Sequence, residues 1–379
     1  MGTGPEQEVQ RRTRKTAEAP EPAFSSNAVR LSPREWLIAG GTAVALFFLV
    51  PRAWQAIEPL DAGPDYRVPY KLGEDYSLYQ RYCRKVCAED ATPIVGDSVV
   101  WGHYVAGNET LSHYVNELSA GTHYANLGLD GSHPAALAGL VDTYASDIRA
   151  RRVVLFCNPL WMTSPDRDLR GKTERFNHPR LVPQFVPRIP CYKEPLEARL
   201  GIVVQRRLPF QNWVQHMRTA YFDGDDLASW TMNRPYENPA GPITLRLPDS
   251  EPSPVEGPKP WFEGGFESFN APWIELETSI QWESFCRTIA LLRDRGNQVF
   301  VLVGPFNEHM LKPASLSKYQ DMKAHIGNWL SKHEVPHYIP EPLPSDHYAD
   351  ASHPLAKGYA LLARRLWESS AFAAFRPKD

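Results

Sequence analysis

The stretch Pro93-Ile94-Val95-Gly96-Asp97-Ser98 decides the fold, because a short apolar strand ends here at a glycine and a helical pattern follows. The same alternation continues along the chain. Residues 153–156 and 299–303 are apolar throughout, which is typical of strands in a parallel sheet covered on both faces. Strands that alternate with helices predict an α/β fold with a doubly wound parallel sheet.

The remaining elements are predicted from apolar residues at helical spacing and from turn residues at element ends. Further strands are predicted at residues 93–95, 123–126 and 336–339. Helices are predicted at residues 76–86, 98–118, 134–149, 277–295, 315–332 and 354–369. Gly296 follows one of these helices and is a typical C-terminal stop.

Composition limits the classes of function. The chain has 379 residues, of which 42% are hydrophobic and 22% charged, as in a globular protein. A net charge of -3 gives no reason to expect a nucleic-acid partner. The five cysteines fit no metal spacing and imply no cofactor. Cys157 is expected to be a buried thiol, whereas the other four could form disulfides in an exported domain, with the pairing left open.

The amino-terminal region predicts a membrane anchor. Residues 1–34 are polar and are expected to form a disordered tail. An apolar run from Trp36 to Val50, extended to Trp54, predicts a transmembrane segment at residues 35–54, since a spanning helix needs about 20 mostly apolar residues. The two tryptophans suit the membrane interfaces.

Two other interpretations of this run are a signal-peptide core and a buried helix. The long polar leader and the lack of a small-x-small cleavage site count against a cleaved signal. Basic residues precede the run at Arg11, Arg12, Arg14, Lys15, Arg30 and Arg34. They orient the leader to the cytoplasm, so a single-pass protein with its main domain outside is predicted.

The rest of the chain divides into a connecting segment, residues 55–90, and a catalytic domain, residues 91–379, with an insertion at residues 160–276. The insertion is far longer than ordinary connections of about 2–6 residues and is rich in proline, so it is expected to be loop-rich. It also holds five tryptophans. They would suit a lid or a substrate platform, although packing into a small satellite core is the plainer interpretation for most of them.

Four short segments carry the residues with chemical potential. They are Gly96-Asp97-Ser98, residues 126–131, Cys157-Asn158-Pro159 and residues 350–353. The first three follow predicted strands and the fourth precedes the last helix. In an open parallel sheet the functional site lies at the carboxyl ends of the strands, so these segments are expected to meet.

Their residue types predict a catalytic triad. A serine hydroxyl needs a neighbouring base, so Ser98 would be the nucleophile, His353 the base and Asp350 the carboxylate that orients it. Asp346, next to His347, is an alternative orienting residue. Taken singly, each segment is equally compatible with a plain turn or a helix cap, and only the ordered set indicates a site.

Donors for the oxyanion are expected close by. The candidates are the backbone N–H groups of Ser98 and Gly131 and the side-chain amide of Asn158, with Gly128 as the rival to Gly131. His103 and His133 are predicted either to line the pocket or to pack. Metal binding by His103, His133 and His353 has no supporting carboxylate pattern and is set aside.

Together the four segments resemble the blocks of the SGNH/GDSL hydrolase superfamily, and the match spans residue 93 to the C-terminus apart from the insertion. The resemblance implies a flavodoxin-like three-layer sandwich and esterase, lipase or O-acyltransferase activity. It also favours Asp350 over Asp346 and Gly131 over Gly128. The third block departs from the family, with Cys157 and Pro159 where glycine and aspartate are usual.

These features predict a serine esterase or O-acyltransferase that forms an acyl-Ser98 intermediate on cell-envelope carbohydrate. Its substrate would be an acylated or acyl-accepting glycan or a small ester. A looser similarity to anchored envelope O-acyltransferases implies a membrane-bound acyl donor enzyme as partner. The alternatives are a non-catalytic envelope scaffold or glycan-binding module, and a cytosolic lipase-like hydrolase whose apolar run is a buried helix.

Overall fold

The computed structural model describes residues 31–119, 123–174, 176–248 and 253–377. The chain divides into two compact units, Met1–Leu49 and Val50–Asp379. Helix α1, Pro33–Ile57, contains the predicted anchor. Its 25 residues are long and apolar enough to cross a membrane, since they extend about 38 Å against a hydrocarbon core of about 30 Å. Most of the predicted disordered tail, residues 1–30, lies outside the described residues.

The second unit is built on one parallel sheet, so the α/β prediction is confirmed. Its strands are β1 (Thr92–Gly96), β2 (Tyr124–Gly128), β3 (Arg152–Cys157), β4 (Gln298–Val303) and β5 (His337–Tyr338). The spatial order is β2-β1-β3-β4-β5, and every pairing is parallel. β3 and β4 pair along their whole length, from Arg152 opposite Gln298 to Cys157 opposite Val303.

Helices connect the strands and continue the chain beyond them. They are α2 (Tyr76–Ala88), α3 (Ser98–Trp101), α4 (Leu111–Leu118), α5 (Pro134–Thr143), α6 (Leu196–Arg207), α7 (Pro209–Tyr221), α8 (Leu227–Asn233), α9 (Ile280–Asp294), α10 (Pro313–Lys332), α11 (Ala356–Glu368) and α12 (Ser370–Phe375). α5 ends earlier than predicted, and α12 follows the helix predicted as the last.

Alternation along the strands buries both faces of the sheet. In β4, Val299 and Val301 belong to the larger apolar cluster, whereas Phe300 and Leu302 belong to the smaller one. The larger cluster also takes side chains from α2, α5, α9 and α10, and the smaller from α4, α11 and α12. Successive side chains of a strand point to opposite faces of the sheet. A sheet covered on both sides therefore needs apolar residues at every position of the strand.

The structure revises the description of residues 55–90 as a polar connection. This segment contributes to the larger apolar cluster through Tyr66, Val68, Leu72, Tyr76, Leu78, Tyr79, Tyr82, Cys83 and Val86. In α2 the residues 76, 79, 83 and 86 recur at helical spacing and face the core, while Arg84 and Lys85 lie on the more exposed side. The segment is therefore part of the folded unit.

The helix predicted over residues 98–118 is interrupted. α3 ends at Gly102, whose φ of +91° is the left-handed conformation that favours glycine. A Cβ there would lie 2.7 Å from Thr110 Cγ2, so a side chain does not fit. Thr110 then caps α4. The break places His103 and Tyr104 in a turn instead of on a helix.

The insertion is largely incorporated into the second unit. Met162, Leu181 and Ile189 are buried in the larger cluster. α7 and α8 instead form a satellite cluster of Met217, Tyr221, Phe222 and Trp230, against which Trp54 and Trp213 pack. In its described residues the insertion therefore contains three α-helices between its loops, and satellite-core packing is confirmed for Trp213 and Trp230.

The cysteines are free thiols in this structure, so the disulfides considered from the sequence are not formed. Cys157 is buried at the end of β3, as expected. Burial raises the pKa of its thiol well above the ordinary value, which keeps it protonated and unreactive.

Candidate active site

Ser98 lies where β1 gives way to α3. Asp97 caps this helix, its Oδ1 accepting from the Val99 N–H at 3.0 Å. The turn is tight because α3 lies directly against β2, where a Cβ on Gly128 would come within 2.3 Å of the Trp101 nitrogen. Ser98 is 9% exposed, so its hydroxyl is held at the end of the strand with limited contact to solvent.

The structure brings Ser98, His353 and Asp350 into one hydrogen-bonded line. His353 Nε2 lies 2.8 Å from Ser98 Oγ. On the other side of the ring, Nδ1 lies 2.8 Å and 2.9 Å from the two carboxylate oxygens of Asp350. Nδ1–H donates to the carboxylate, which leaves the Nε2 lone pair free to accept the serine hydroxyl proton.

Asp350 is itself fixed by the turn on which it lies. Its Oδ1 accepts the backbone N–H groups of Ser352, at 2.8 Å, and His353, at 2.9 Å. Burial alone would raise the pKa of Asp350, but His353 and these donors outweigh burial and hold the pKa well below its usual range. Asp350 therefore stays ionised beside the imidazole.

The imidazole of His353 is stabilised in its charged form. Burial lowers the pKa of His353, but the charges of Asp350, Asp97 and Asp130 raise it by more. The net result is a pKa above the ordinary value of 6.5. A base with a raised pKa accepts a proton more readily from a hydroxyl.

The predicted oxyanion donors differ in availability. Within the described part of the chain, the N–H groups of Ser98 and Gly131 donate no hydrogen bond. Asn158 donates one amide N–H to Asp97 Oδ2 at 2.7 Å, which leaves its second N–H for another acceptor. Gly131 has a φ of +69°, a turn conformation suited to glycine.

The backbone N–H of Gly128, the alternative oxyanion donor, already donates a hydrogen bond within the protein. Its N–H donates to Asn126 Oδ1 at 3.0 Å, and the Asn126 amide donates to the carbonyl of Val100 at 2.8 Å. Gly128 therefore serves the packing of α3 on β2, and Gly131 keeps the uncommitted N–H.

Asp97 and Trp161 form a part of the site that sequence reasoning missed. The Asp97 side chain is buried and accepts from Asn158 Nδ2 and, at 2.9 Å, from Trp161 Nε1. Burial raises the pKa of Asp97, while these donors oppose the rise. In the sequence, Trp161 follows Asn158 by three residues. That spacing does not show that the two side chains donate to the same acceptor.

The turn after α3 adds two aromatic side chains to the site. The His103 ring centre lies 5.7 Å from that of His353, and the Tyr104 ring centre lies 5.3 Å from it. His103 Nδ1 is 2.7 Å from Asp130 Oδ1. The Tyr104 hydroxyl interacts with Asp350, and burial together with that carboxylate raises the pKa of Tyr104 to about 12.

Neither His133 nor Asp346, the alternative orienting residue, joins the triad. His133 is buried at the start of α5 and bonded to Gln281 and the Asn177 carbonyl, and burial lowers its pKa to about 4. Asp346 and His347 pair with each other at 3.1 Å. Among the residues that the structure describes, no group of three His, Cys, Asp or Glu side chains could hold a metal ion.

A cavity of about 390 Å³ adjoins the triad on the Asp350 side. Its walls come from the turn after β3, with Leu160 and Arg167, and from the last part of the insertion, with Phe266 and Phe269. The insertion therefore forms one wall of a space next to the reacting groups, large enough for a small acyl chain or part of a sugar.

No family model matches this chain, and no curated protein matches it either. Its function is therefore inferred from the geometry of its own residues.

Proposed function

We propose that the chain is a serine acyl-transfer enzyme of the SGNH/GDSL hydrolase type, with Ser98 as nucleophile. The observation that carries the proposal is the continuous line from Ser98 Oγ through the His353 ring to Asp350, with a contact of 2.8 Å on each side of the imidazole. A scaffold or glycan-binding module needs no such line, whereas a base that is held on a serine hydroxyl and oriented by a carboxylate is the arrangement that activates a nucleophile.

In the proposed reaction Ser98 Oγ attacks the carbonyl carbon of an ester as its proton passes to His353 Nε2. Asp350 stabilises the imidazolium that forms. The carbonyl oxygen becomes an oxyanion and receives the N–H groups of Ser98 and Gly131 and the second amide N–H of Asn158. The tetrahedral intermediate then collapses, and His353 returns the proton to the departing alcohol.

The product of this half-reaction is an ester between the acyl group and Ser98. A second alcohol, or water, loses its proton to His353 and attacks the same carbonyl carbon. Ser98 leaves with that proton and is regenerated. A sugar hydroxyl as acceptor gives an O-acyltransferase, and water gives an esterase.

Asp97 has a positioning role in this scheme. It holds the Asn158 amide at 2.7 Å and ties it to the same turn that carries Ser98. The departure from the family at Pro159 is compatible with this role. Pro159 begins a short 3₁₀ turn, a position at which a backbone N–H is not required, and Asn158 Oδ1 accepts from the Leu160 N–H at 3.0 Å.

The flavodoxin-like three-layer sandwich belongs to the same proposal. Supporting it are the strand order β2-β1-β3-β4-β5 and the apolar clusters on both faces of the sheet. The site segments follow β1, β2 and β3, at the edge where ligands bind in such sheets.

We further propose that the enzyme works outside the cytoplasmic membrane on envelope carbohydrate. Supporting this location are the length and apolar composition of α1 and the basic residues that precede it. The proposed partner is a membrane-bound enzyme that supplies acyl groups, by analogy with anchored envelope O-acyltransferases.

The nucleophile is tested with the full chain in detergent, treated with a fluorophosphonate probe and with p-nitrophenyl acetate. We expect labelling of the wild type and none of Ser98→Ala, with ester turnover lower by at least about 10³-fold in the variant. Ser284→Ala is the matched control, because Ser284 is also 9% exposed but lies on α9. Labelling of Ser98→Ala equal to the wild type, or no labelling of the wild type, would exclude the proposal.

A further inference from the structure

A second imidazole–carboxylate pair lies beside the triad and has no part in the scheme above. His103 Nδ1 is 2.7 Å from Asp130 Oδ1, and the two side chains are 24% and 16% exposed. Within the described residues, His103 Nε2 has no hydrogen-bond partner. Nδ1–H donates to Asp130, so Nε2 carries a lone pair that can accept a hydrogen bond.

The pair is attached to the segments that carry the reacting groups. The backbone N–H groups of Gly102 and His103 both donate to the carbonyl of Ser98, at 2.8 Å and 3.2 Å. Asp130 directly precedes Gly131, the proposed oxyanion donor. The position of His103 relative to Ser98 is therefore set by the turn after the nucleophile.

His103 cannot be the base that activates Ser98, because His353 Nε2 already holds the serine hydroxyl at 2.8 Å. The two imidazole rings are tilted by 43° with centres 5.7 Å apart. Rings at that separation line the same part of the site, so one small molecule with two neighbouring hydroxyl groups can contact both.

Aromatic side chains surround the pair. Tyr70 is 45% exposed and its ring centre lies 6.1 Å from that of His103, while the Tyr104 ring centre lies 5.1 Å away. A sugar ring presents apolar C–H faces and a rim of hydroxyl groups. An exposed aromatic surface next to a hydrogen-bond acceptor matches both of these features.

We propose that His103, oriented by Asp130, forms with Tyr70 a subsite for the sugar portion of the substrate. The His103 Nε2 accepts a hydrogen bond from the hydroxyl next to the one that gains or loses the acyl group, and Tyr70 contacts the face of the ring. The substrate class is then a carbohydrate with adjacent hydroxyl groups. This inference rests on the proposed acyl transfer at Ser98 and leaves all proton transfer with His353.

The test compares two esters that share the acetyl group and differ in the alcohol. One is a mono-O-acetylated methyl hexopyranoside with a free neighbouring hydroxyl, and the other is p-nitrophenyl acetate. For His103→Gln in the full chain, we expect kcat/KM for the glycoside ester to fall about tenfold, as for the loss of one hydrogen bond. Turnover of p-nitrophenyl acetate and fluorophosphonate labelling stay within about twofold of the wild type.

The matched control is His113→Gln. His113 is 23% exposed and its Nδ1 lies 2.9 Å from Asp65 Oδ1, so it forms a similar imidazole–carboxylate pair, on α4 and with Glu117 near its Nε2. We expect this control to leave the ratio between the two esters unchanged. A deoxy glycoside ester that lacks the neighbouring hydroxyl should make the wild type and His103→Gln equal.

Tyr70→Ala and Tyr70→Phe provide a second route if His103→Gln does not fold. The alanine variant should lose several-fold on the glycoside ester alone, and the phenylalanine variant should retain it, because the ring face is kept. Equal losses on both esters, or no loss on either, overturn the subsite while leaving the Ser98 chemistry intact. No turnover and no labelling of the wild type would instead remove the proposed function and the subsite with it.

Discussion

Around Ser98, three carboxylates act on one imidazole. Asp350 contacts the His353 ring directly, while Asp97 and Asp130 act through space, and all three raise the pKa of His353 against the opposing effect of burial. Only Asp350 is placed to choose the tautomer. The other two serve separate purposes, since Asp97 binds Asn158 and Trp161 and Asp130 binds His103.

This arrangement predicts the pH dependence of the reaction. His353 must be neutral to accept the Ser98 proton, so activity is lost as pH falls through its pKa. Because that pKa is raised, the acid limb of kcat/KM for p-nitrophenyl acetate should show an apparent pKa above 6.5. Asp130→Asn should move the limb to lower pH, and an acid limb at or below pH 6.5 in the wild type would contradict the assignment.

At the level of elements, the five strands of the sheet were predictable in their positions along the chain, to within two residues at each end. Residues 153–156 and 299–303 were recognised because strands buried on both faces are apolar throughout. The structure places Ser98, Gly131 and Asn158 on the segments that follow β1, β2 and β3, because parallel strands in register end at one edge. The nucleophile and the proposed oxyanion donors come together through this rule.

Other features depend on contacts that local patterns do not encode. Helix α3 ends before Gly102, where the side chains of Thr110 and Arg67 leave no room for a Cβ. Neither of these residues belongs to the local helical pattern. The shared acceptor Asp97 joins Asn158 and Trp161 across more than sixty residues. The burial of α2 was missed because charged residues between its apolar positions suggest a solvated segment.

Helix α1 carries the prediction about location. A single span with basic residues before it should leave the amino terminus in the cytoplasm. In cells whose cytoplasmic membrane is intact and accessible to added protease, the protease should digest the main domain and spare an amino-terminal epitope tag. Protection of both ends would instead indicate a cytosolic protein, and a mature chain that begins after residue 57 would indicate a cleaved signal.

At the scale of the second unit, a buried charged network joins distant segments. Glu58 is fully buried and receives hydrogen bonds from Arg81 on α2, from Tyr221 on α7 and, at 3.0 Å, from Trp54. His216 bridges two carboxylates, with Nε2 2.9 Å from Glu58 and Nδ1 2.5 Å from Asp75. This network ties the insertion to residues 54–81 with charges as well as apolar contacts.

The network predicts how stability depends on pH. Burial lowers the pKa of His216, but Asp75 and Glu58 outweigh burial and raise it to about 9. A raised histidine pKa stabilises the fold fully below pH 6.5 and less as pH rises through 9. For Glu58 burial raises the pKa, but His216, Tyr221 and Arg81 lower it to about 2, so its contribution is present above pH 4.5 and is lost on acidification.

We therefore expect the free energy of unfolding to decrease between pH 6.5 and pH 9 by on the order of 3 kcal/mol more in the wild type than in His216→Gln. Urea denaturation of the full chain in detergent at the two pH values measures the difference. Within the described residues, the one side-chain hydrogen bond of His337 joins Nδ1 to the backbone carbonyl of Val335, so His337→Gln is the control. Parallel pH dependence of the wild type and His216→Gln would show that the network does not titrate as described.

The pairing of β3 with β4 also affects how the chain folds while it is being synthesised. β1, β2 and β3 lie within the first 157 residues, yet the strand that covers the open edge of β3 begins only at Gln298. Roughly 140 residues separate the two, which corresponds to on the order of 10 s of synthesis. Throughout that interval the apolar edge Val153-Val154-Leu155-Phe156 stays unpaired, which is the kind of segment that seeds association between nascent chains. The long insertion therefore sets a delay before β4 can cover this edge of the sheet.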